Sequence, residues 1–286
     1  MAKFHLPAWM RAPARPTDGK MSLFDHLREI RYRFLVSMAA IIVTTAVAMV
    51  FETHLLYVVL EPVQKAVGIY QKMRPDGQVE MVTQGITAGF MLYFRVCFVA
   101  GFIAACPIWL FQLWRFIVPA LKKNERRIAG GFIGAAIPLF LAGVVSAYFL
   151  CPRGFAIMMS FNPPSVTNLN DVGTFLSFEL RLLLLFGAAF LLPVLLVSLN
   201  RVGIVTGAML GRFRRGAILL CAVFSAVATP TADALTMIAL MIPMIAMYLV
   251  AEVICRRNDR RKALKNTSTA VAIAGQTASG GMVTGL

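Results

Sequence analysis

Residues 34–51 read FLVSMAAIIVTTAVAMVF, an apolar run without a charged side chain. An α-helix rises about 1.5 Å per residue, so about 20 apolar residues cross the hydrocarbon core of a bilayer. The run therefore predicts a first spanning helix from Phe34 to Phe51. Ser22, followed three residues later by Asp25, is typical of a helix start and places an amphipathic turn ahead of the span.

Further apolar runs along the chain predict five more spans. They cover about Ala88–Phe111, Ile128–Cys151, Leu176–Leu199, Gly216–Ala228 and Ala234–Ile254, with polar loops at 52–87, 112–127, 152–175 and 200–215. The run Gly216–Ala228 is short for a full bilayer and predicts local thinning or tilting of its neighbours. The chain is thus predicted to be an all-α integral membrane protein with six transmembrane helices.

The segments outside the spans divide the chain into three parts. Residues 1–21 combine prolines with scattered charges and predict a mobile arm without a cleavable signal peptide. Residues 22–257 form the predicted membrane domain. Residues 258–286, basic at first and then rich in Ser, Thr, Gly and Ala, predict a disordered cytoplasmic tail.

The charge distribution indicates the orientation of the spans. The chain is 59% hydrophobic and only 14% charged, yet its net charge is +15. Of its 28 Lys and Arg residues, 22 lie in the N-terminal arm, the loops at 112–127 and 200–215, and the tail, whereas the alternate loops hold four. Lys and Arg are enriched in cytoplasmic segments, so both termini are predicted to be cytoplasmic. This asymmetry explains the basic balance without a nucleic-acid partner.

No motif for catalysis or cofactor binding is present in the sequence. The three histidines are far apart, and the five cysteines form no CxxC pair, so neither a zinc site nor a disulfide framework is indicated. P-loop, HExxH and dinucleotide fingerprints are absent as well. We therefore expect no enzyme activity, no metal and no cofactor.

Two glutamates stand out because they lie on the strongly basic side. Glu29 and Glu125 are expected to be ionised there, and a carboxylate suits a partner that carries guanidinium groups, which bind it in a planar fork. The alternative is intramolecular pairing, of Glu29 with Arg33 at i+4 and of Glu125 with Arg126 or Arg127. Spacing alone leaves both interpretations open.

Ionisable residues also occur in or near the predicted spans. Arg95, Glu179 and Arg181 lie near the starts of their spans; such residues face a bundle interior or snorkel to the interface, and these positions favour snorkelling over a direct function. Asp233 lies in the tight outer turn between the last two spans, where a turn or helix-cap role competes with a functional one.

Several motifs, in order, resemble the TatC family. The segment DHLREIR at 25–31 is similar to its first cytoplasmic motif, and PIWLFQLWRFIVPAL at 107–121, followed by Glu125-Arg126-Arg127, is similar to its second. Further similarities are Glu61-Pro62, Phe175–Phe178, Phe186-Gly187, Pro193-Val194, and Ala228-Thr229-Pro230 followed by Asp233. The resemblance extends over residues 21–257.

The resemblance implies a function that the residue pattern alone does not supply. It implies a cupped bundle with two short final helices in the cell membrane, which recognises twin-arginine signal peptides and exports folded proteins with the proton-motive force. Glu29 and Glu125 would contact the arginine pair, with Arg31, Phe116, Arg126 and Arg127 shaping that surface. Pro62 and Asp233 would act in the outer loops. The implied partners are TatA- and TatB-type single-span proteins, docked near Thr229, and other copies of the subunit. Leu191 and Met237 stand where many members carry polar residues, so no role transfers there.

Two other classes of function are weaker alternatives. A small-solute secondary transporter is expected to show inverted repeats and ionisable groups near the midplane, but no repeat is evident and the polar features lie at the two surfaces. A membrane scaffold would not need paired cytoplasmic glutamates. The protein-translocase interpretation is therefore favoured.

Overall fold

The computed structural model describes residues 23–75, 79–117, 126–161, 168–228 and 234–280, and these are mostly helical. The helices are α1 (Leu23–Val50), α2 (Glu52–Met73), α3 (Ala88–Ala104), α4 (Cys106–Ile117), α5 (Arg126–Ser160), α6 (Val172–Phe190), α7 (Leu192–Val202), α8 (Gly207–Arg212), α9 (Arg214–Ala228) and α10 (Ala234–Gly280). The strands are β1 (Val79–Val82) and β2 (Asn168–Asp171). The chain divides into two compact units, Met1–Ala188 and Ala189–Leu286.

A short parallel sheet lies at one end of the first unit. β1 pairs with β2 in the register Val79 to Asn168 through Val82 to Asp171. Because β1 precedes α3 and β2 precedes α6, the paired strands bring the starts of these two helices together. The sheet also refines the predicted all-α class, since a small β element joins the helices.

The first unit is held together by close helix crossings. α1 packs against α3 and α4, and α2 packs against α5. The Thr44 hydroxyl donates to the Gly101 carbonyl at 2.8 Å, and a Cβ at position 101 would lie 2.6 Å from the Cα of Thr45. Only glycine therefore fits at this crossing of α1 and α3, as is usual where helices associate closely in membranes.

The core between α2 and α5 is apolar. Ala66 and Tyr70 of α2 pack against a buried set on α5, formed by Cys151, Phe155, Ala156 and Met159. Phe155 also meets Phe175 of α6 edge-on, with ring centroids 4.7 Å apart. This core fixes α6 beside α5.

α3 and α4 form a broken helix. Their axes differ by 55° across Ala105, and Pro107 stands in the first turn of α4. Proline has no N–H to donate to the carbonyl four residues back, so a continuous helix is interrupted here. The Trp109 indole supports the bend by donating to the Phe102 carbonyl at 3.1 Å.

In the second unit, α10 packs against α7, α8 and α9. α7 ends at Gly203, whose φ of +89° is the left-handed conformation that favours glycine after a helix. Tyr248 of α10 donates to the Leu210 carbonyl at 2.8 Å and so fastens α8 to the long helix.

Length and composition identify the helices that can cross a membrane. Among the described residues there are four candidates, Leu27–Val50, Ile133–Ser160, Val172–Arg201 and Thr236–Leu264, and the bent α3–α4 pair makes up to five. α9 has 15 residues, about 22 Å of helix, and is too short to be counted with them. The structure thus confirms a helical chain with several membrane-length spans, and the count of six stays a prediction.

Several segments predicted as loops contain helix. α2 occupies much of the predicted loop at 52–87, because Val63, Ala66 and Tyr70 form a buried stripe despite the polar residues around them. α4 enters the predicted polar stretch 112–127, and α5 passes through Pro152 into 152–175. The predicted loop 200–215 holds α8 and the adjoining helix ends.

The predicted tail also differs from the structure. Helix α10 continues through residues 258–280, where the composition predicted disorder. The segment contains several Ala, Lys and Arg residues, which are good helix formers. Its first turns are also held by side chains of Asn258, Asp259 and Lys262, which bond to Asn200. The predicted mobile arm, 1–21, and residues 281–286 lie outside the described residues.

Candidate functional site

Glu29 is a buried acid near the start of α1. Its residue is only 5% exposed, and Arg33, one turn later, is 7% exposed. The Arg33 Nε donates to Glu29 Oε1 at 3.1 Å, and the Arg33 Nη2 contacts the same oxygen. The i+4 pair considered as an alternative from the sequence is therefore present.

The pair leaves one carboxylate oxygen of Glu29 unused. Oε2 is buried and has no hydrogen-bond partner among the described residues. Buried polar atoms are rarely left in this state, and an unmet one needs an explanation. Arg33 thus holds the carboxylate in place by one oxygen, while the other can accept a donor from outside the helix.

Arg31 lies on a different face of α1 from Glu29. Residues two apart on a helix do not face each other, and the Arg31 side chain is exposed. It can therefore contribute positive charge to the surface around α1 without pairing with Glu29.

α4 brings the second predicted motif next to α1. Trp114 is buried, whereas Arg115 is exposed with its guanidinium carbon 5.9 Å from the centroid of the Phe111 ring. Phe116 lies in the last turn of α4, but its side chain is outside the described residues. The helix packing therefore brings the Phe116 segment to α1, and no contact of its ring is described.

The remaining predicted residues of this surface lie where the segment between α4 and α5 joins α5. Glu125 falls in the undescribed segment 118–125, and Arg126 and Arg127 begin α5 with side chains that are not described. The joining of Glu29 and Glu125 into one site stays a prediction.

Of the other predicted positions, the structure describes Pro62. Pro62 is buried inside α2, next to Glu61, whose carboxylate accepts from Tyr148 at 2.8 Å and pairs with Lys65 at 2.7 Å. The hydrogen bond from Lys65, and then that from Tyr148, lowers the pKa of Glu61 below its ordinary value. Thr229 and Asp233 lie in 229–233, outside the described residues.

The ionisable residues of the spans have different environments. Arg95 and Arg181 are exposed, and Arg95 bonds to the Ser177 hydroxyl. Glu179 is fully buried, and neither carboxyl oxygen has a partner among the described residues. The expectation that Glu179 snorkels was wrong, because its face of α6 packs onto α5 rather than facing the interface.

The second unit contains a polar cluster that the sequence pattern did not predict. Glu252 of α10 is 2% exposed and accepts two bonds from Arg214, at 2.8 and 3.0 Å, and one from Arg256 at 2.7 Å. About two turns after Glu252, Asp259 accepts from Asn200 at 2.8 Å and from the Gly207 amide at 2.6 Å. The i+4 spacing of Glu252 and Arg256 could have predicted their ion pair from the sequence. The bond to Arg214 could not be predicted in this way, because Arg214 is 38 residues away and meets Glu252 only in the folded chain.

This cluster fixes short helices to a long one. The bonds from Arg214 to Glu252 join the start of α9 to α10. A Cβ at Gly207 would lie 2.6 Å from the Arg256 backbone nitrogen, so α8 and α10 are in close contact. The cluster therefore serves to position α7, α8 and α9 on α10.

The described residues contain no arrangement typical of a metal centre. No group of three or more His, Cys, Asp or Glu in this part of the chain could hold an ion. All five cysteines are buried and unpaired, as expected for small apolar residues.

Comparisons with known proteins agree on one family. Residues 25–243 match the family model described as Sec-independent protein translocase protein (TatC). The TatC protein of Xylanimonas cellulosilytica is 37% identical over 265 residues, which cover 92% of this chain and 94% of that protein. The TatC protein of Frankia casuarinae is 34% identical over 259 residues, covering 89% and 71%.

Two solved structures share the fold. A crystal structure of the twin arginine translocase receptor TatC in DDM has a TM-score of 0.70 at 30% identity, and the match covers 80% of this chain and 99% of that one. A second crystal structure of the receptor has a TM-score of 0.66 at 28% identity, with 81% and 98% covered.

Proposed function

Since this chain belongs to the TatC family of Sec-independent protein translocase proteins, we propose that Glu29 and Glu125 form its site for the arginine pair of a twin-arginine signal peptide. The chain is a multi-pass membrane component of a protein translocase and not an enzyme. The proposal concerns which residues carry out recognition in this member.

One observation carries the assignment of Glu29. Its carboxylate is buried, is oriented by Arg33 through Oε1, and keeps Oε2 without a partner among the described residues. A guanidinium from a signal peptide can donate to that oxygen, and hydrogen bonds between charged groups are shorter and stronger than neutral ones. Arg33 supports this role by fixing the side chain before the peptide arrives, which lowers the entropy lost on binding.

The second glutamate supplies the specificity for a pair of arginines. In sequence, Glu125 lies between α4, which packs against α1, and α5, so the segments on both sides of it belong to the unit that holds Glu29. Two carboxylates held apart match two guanidinium forks, whereas lysine offers a compact charge without that planar geometry. Arg31, Phe116, Arg126 and Arg127 complete the surface around the two glutamates.

The family also supports a topology of six spans with cytoplasmic termini. In the described part of the chain, four helical segments reach membrane length, the bent α3–α4 pair makes up to five, and α9 adds a short sixth segment. The 22 cations in the arm, two loops and tail favour the cytoplasm for both ends. Extending α9 by one turn, between Gly216 and Ala228, should reduce export if its shortness thins the bilayer. Full export by the longer variant would count against that role.

The proposed partners follow from the translocase assignment. TatA- and TatB-type single-span proteins dock at the outer parts of the last two helices near Thr229, and further copies of the chain assemble with them. Pro62 and Asp233 shape the outer loops. Energy comes from the proton-motive force, without nucleotide or cofactor, and the chain resides in the cell membrane.

Photo-crosslinking from position 125 tests the receptor site. The crosslinker is placed at Glu125 and, as a matched control, at the exposed Arg212 of α8. A twin-arginine peptide should crosslink from position 125 and not from position 212. The same peptide with both arginines changed to lysine should lose the product.

Two results would contradict the assignment. Equal crosslinking of both peptides from position 125 would show that Glu125 does not read the arginine pair. A product from neither peptide would return Glu125 to pairing with Arg126 or Arg127.

A further inference from the structure

A groove between α3 and α6 combines two arginines with apolar walls. It encloses about 230 Å³ and is lined by Phe94, Arg95, Phe98, Val99, Ser177, Leu180, Arg181 and Leu184. The walls are open to the surroundings, since Phe94 and Phe98 are 45% and 44% exposed. All of these lining residues lie in the first unit.

The groove carries positive charge without a compensating carboxylate. Within the described part of the chain, neither arginine forms an ion pair, and the bond described for Arg95 is to the neutral Ser177 hydroxyl. Glu179 is close in sequence but is fully buried on another face of α6, and it does not line the groove. Exposed guanidiniums on membrane helices are costly unless they meet an anion or water.

The two arginines lie at similar depth. α3 and α6 begin beside the paired strands β1 and β2, and Arg95 and Arg181 follow seven and nine residues after the helix starts. At 1.5 Å per residue these positions are about 10 and 14 Å along their helices. The two positions differ by less than one helical turn, and Arg95 bonds to Ser177, which lies four residues before Arg181 on α6, so both cations lie in the same part of the groove.

The lining selects among anions. A phosphate accepts from guanidinium forks in bidentate geometry, so Arg95 and Arg181 match a phosphodiester. The exposed rings of Phe94 and Phe98, with Leu180 and Leu184, suit a hydrocarbon chain and offer nothing to a free hydrated ion. A phospholipid meets both requirements, with its phosphate at the arginines and an acyl chain along the aromatic wall.

We propose that this groove binds a membrane phospholipid through Arg95 and Arg181. A headgroup held there lies about 10 to 14 Å along α3 and α6 from their first residues. The lipid leaflet next to these helices is therefore pulled towards the middle of the membrane. The site is separate from the glutamates proposed to bind the signal peptide, and each proposal can fail without the other.

Native mass spectrometry on delipidated protein tests the site. Phosphatidylglycerol is titrated into the detergent-purified chain, and the affinity of the tightest lipid is measured for wild type and for the double variant Arg95→Gln/Arg181→Gln. We expect about a tenfold loss for each arginine removed, because hydrogen bonds to charged groups contribute on that scale. Arg212→Gln, which removes an exposed charge outside the groove, should bind like wild type.

Two further arms separate lipid from other anions. Diacylglycerol with the same chains should not occupy the site, since it lacks the phosphate. Inorganic phosphate at millimolar concentration should not displace the lipid, since it lacks the chain. The lipid affinity of a double lysine variant, Arg95→Lys/Arg181→Lys, should fall between those of wild type and the glutamine variant. Its melting temperature should be unchanged, which shows that the loss of affinity comes from the missing guanidinium groups and not from misfolding.

Several outcomes overturn the proposal. Wild-type lipid affinity in the double glutamine variant would show that the arginines are not ligands. Equal binding of diacylglycerol would make the groove an apolar surface only, and displacement by inorganic phosphate would make it a site for the free ion. If the double glutamine variant keeps its lipid but loses a co-purified single-span protein, the groove is a contact for that protein and not a lipid site.

Discussion

Replacing Glu29 with glutamine should weaken signal-peptide binding while leaving the fold intact. Glutamine keeps an oxygen that can accept from Arg33, as Oε1 does now at 3.1 Å. Its amide nitrogen, however, places an N–H donor where Oε2 is unpartnered among the described residues. The variant thus removes the acceptor for an incoming guanidinium and keeps the hydrogen bond to Arg33, while it neutralises one charge of the pair.

The structure sets the size of the expected effect. A hydrogen bond to a charged group contributes about 1.5–3 kcal/mol, so loss of one such bond corresponds to roughly tenfold to a hundredfold weaker binding. The exposed fraction of Glu29 is only 5%, which places the lost bond away from bulk solvent and limits screening.

Alanine at position 29 changes the stability of the protein as well as the binding site. Both changes remove the counter-charge of the buried Arg33, but Glu29→Ala also removes the oxygen that accepts from it, and breaking a buried pair by removing one partner costs about 3–5 kcal/mol of stability. A loss of binding in that variant therefore mixes unfolding with loss of the site, whereas the glutamine variant separates them.

Fluorescence anisotropy with a labelled twin-arginine peptide measures the affinity, and a melting curve in detergent measures stability. The same peptide with two lysines serves as the control, since its weaker binding should change little in the variant. Unchanged affinity of Glu29→Gln for the arginine peptide, with an unchanged melting temperature, would refute the reasoning and leave Glu29 as the internal partner of Arg33.

Three further changes test the packing, the polar cluster and the helix start. Gly143→Ala should lower stability by about 1–3 kcal/mol in melting experiments, because its Cβ would lie 2.5 Å from the Phe186 carbonyl oxygen, whereas Gly134→Ala meets nothing within 4 Å and should be neutral. Glu252→Ala should cost about 3 kcal/mol, the low end for a broken buried pair because its arginines are half exposed, and an unchanged melting temperature would make the cluster dispensable. The Thr174 hydroxyl bond lowers the folded-state pKa of Asp171. Its stabilisation is therefore present above the unfolded value of about 3.9 and lost as pH falls through the lower folded value, so the melting difference from Asp171→Asn should shrink on acidification.

Hydropathy predicted the membrane helices well because lipid imposes a simple constraint. A span must be long, apolar and internally hydrogen-bonded, and α1, α5 and α10 each follow from an uninterrupted apolar run. α2 was missed because it is amphipathic, and its buried stripe becomes visible only when α5 covers it. The continuation of α10 was missed for a related reason, since bonds from Asn258, Asp259 and Lys262 to Asn200 join segments distant in sequence.

The site could be predicted in part. Motif similarity identified the family, and the i+4 spacing predicted the Glu29–Arg33 contact. From the sequence, however, that contact was an alternative to peptide binding by Glu29. In the folded chain the contact uses one oxygen and leaves the other, a distinction that only atomic geometry provides.

There is a physical reason why one oxygen of Glu29 pairs with Arg33 while the other is left for the peptide. A lone buried carboxylate would carry a large desolvation cost before any peptide arrives, and a carboxylate saturated by internal donors would have nothing left to offer. Arg33 offsets part of that cost through one oxygen and holds the side chain in a single orientation. If Glu29 has the proposed role, removing Arg33 should also weaken peptide binding, even though Arg33 competes in charge with the incoming arginines. A gain of affinity on removing Arg33 would instead identify it as an internal inhibitor of the site.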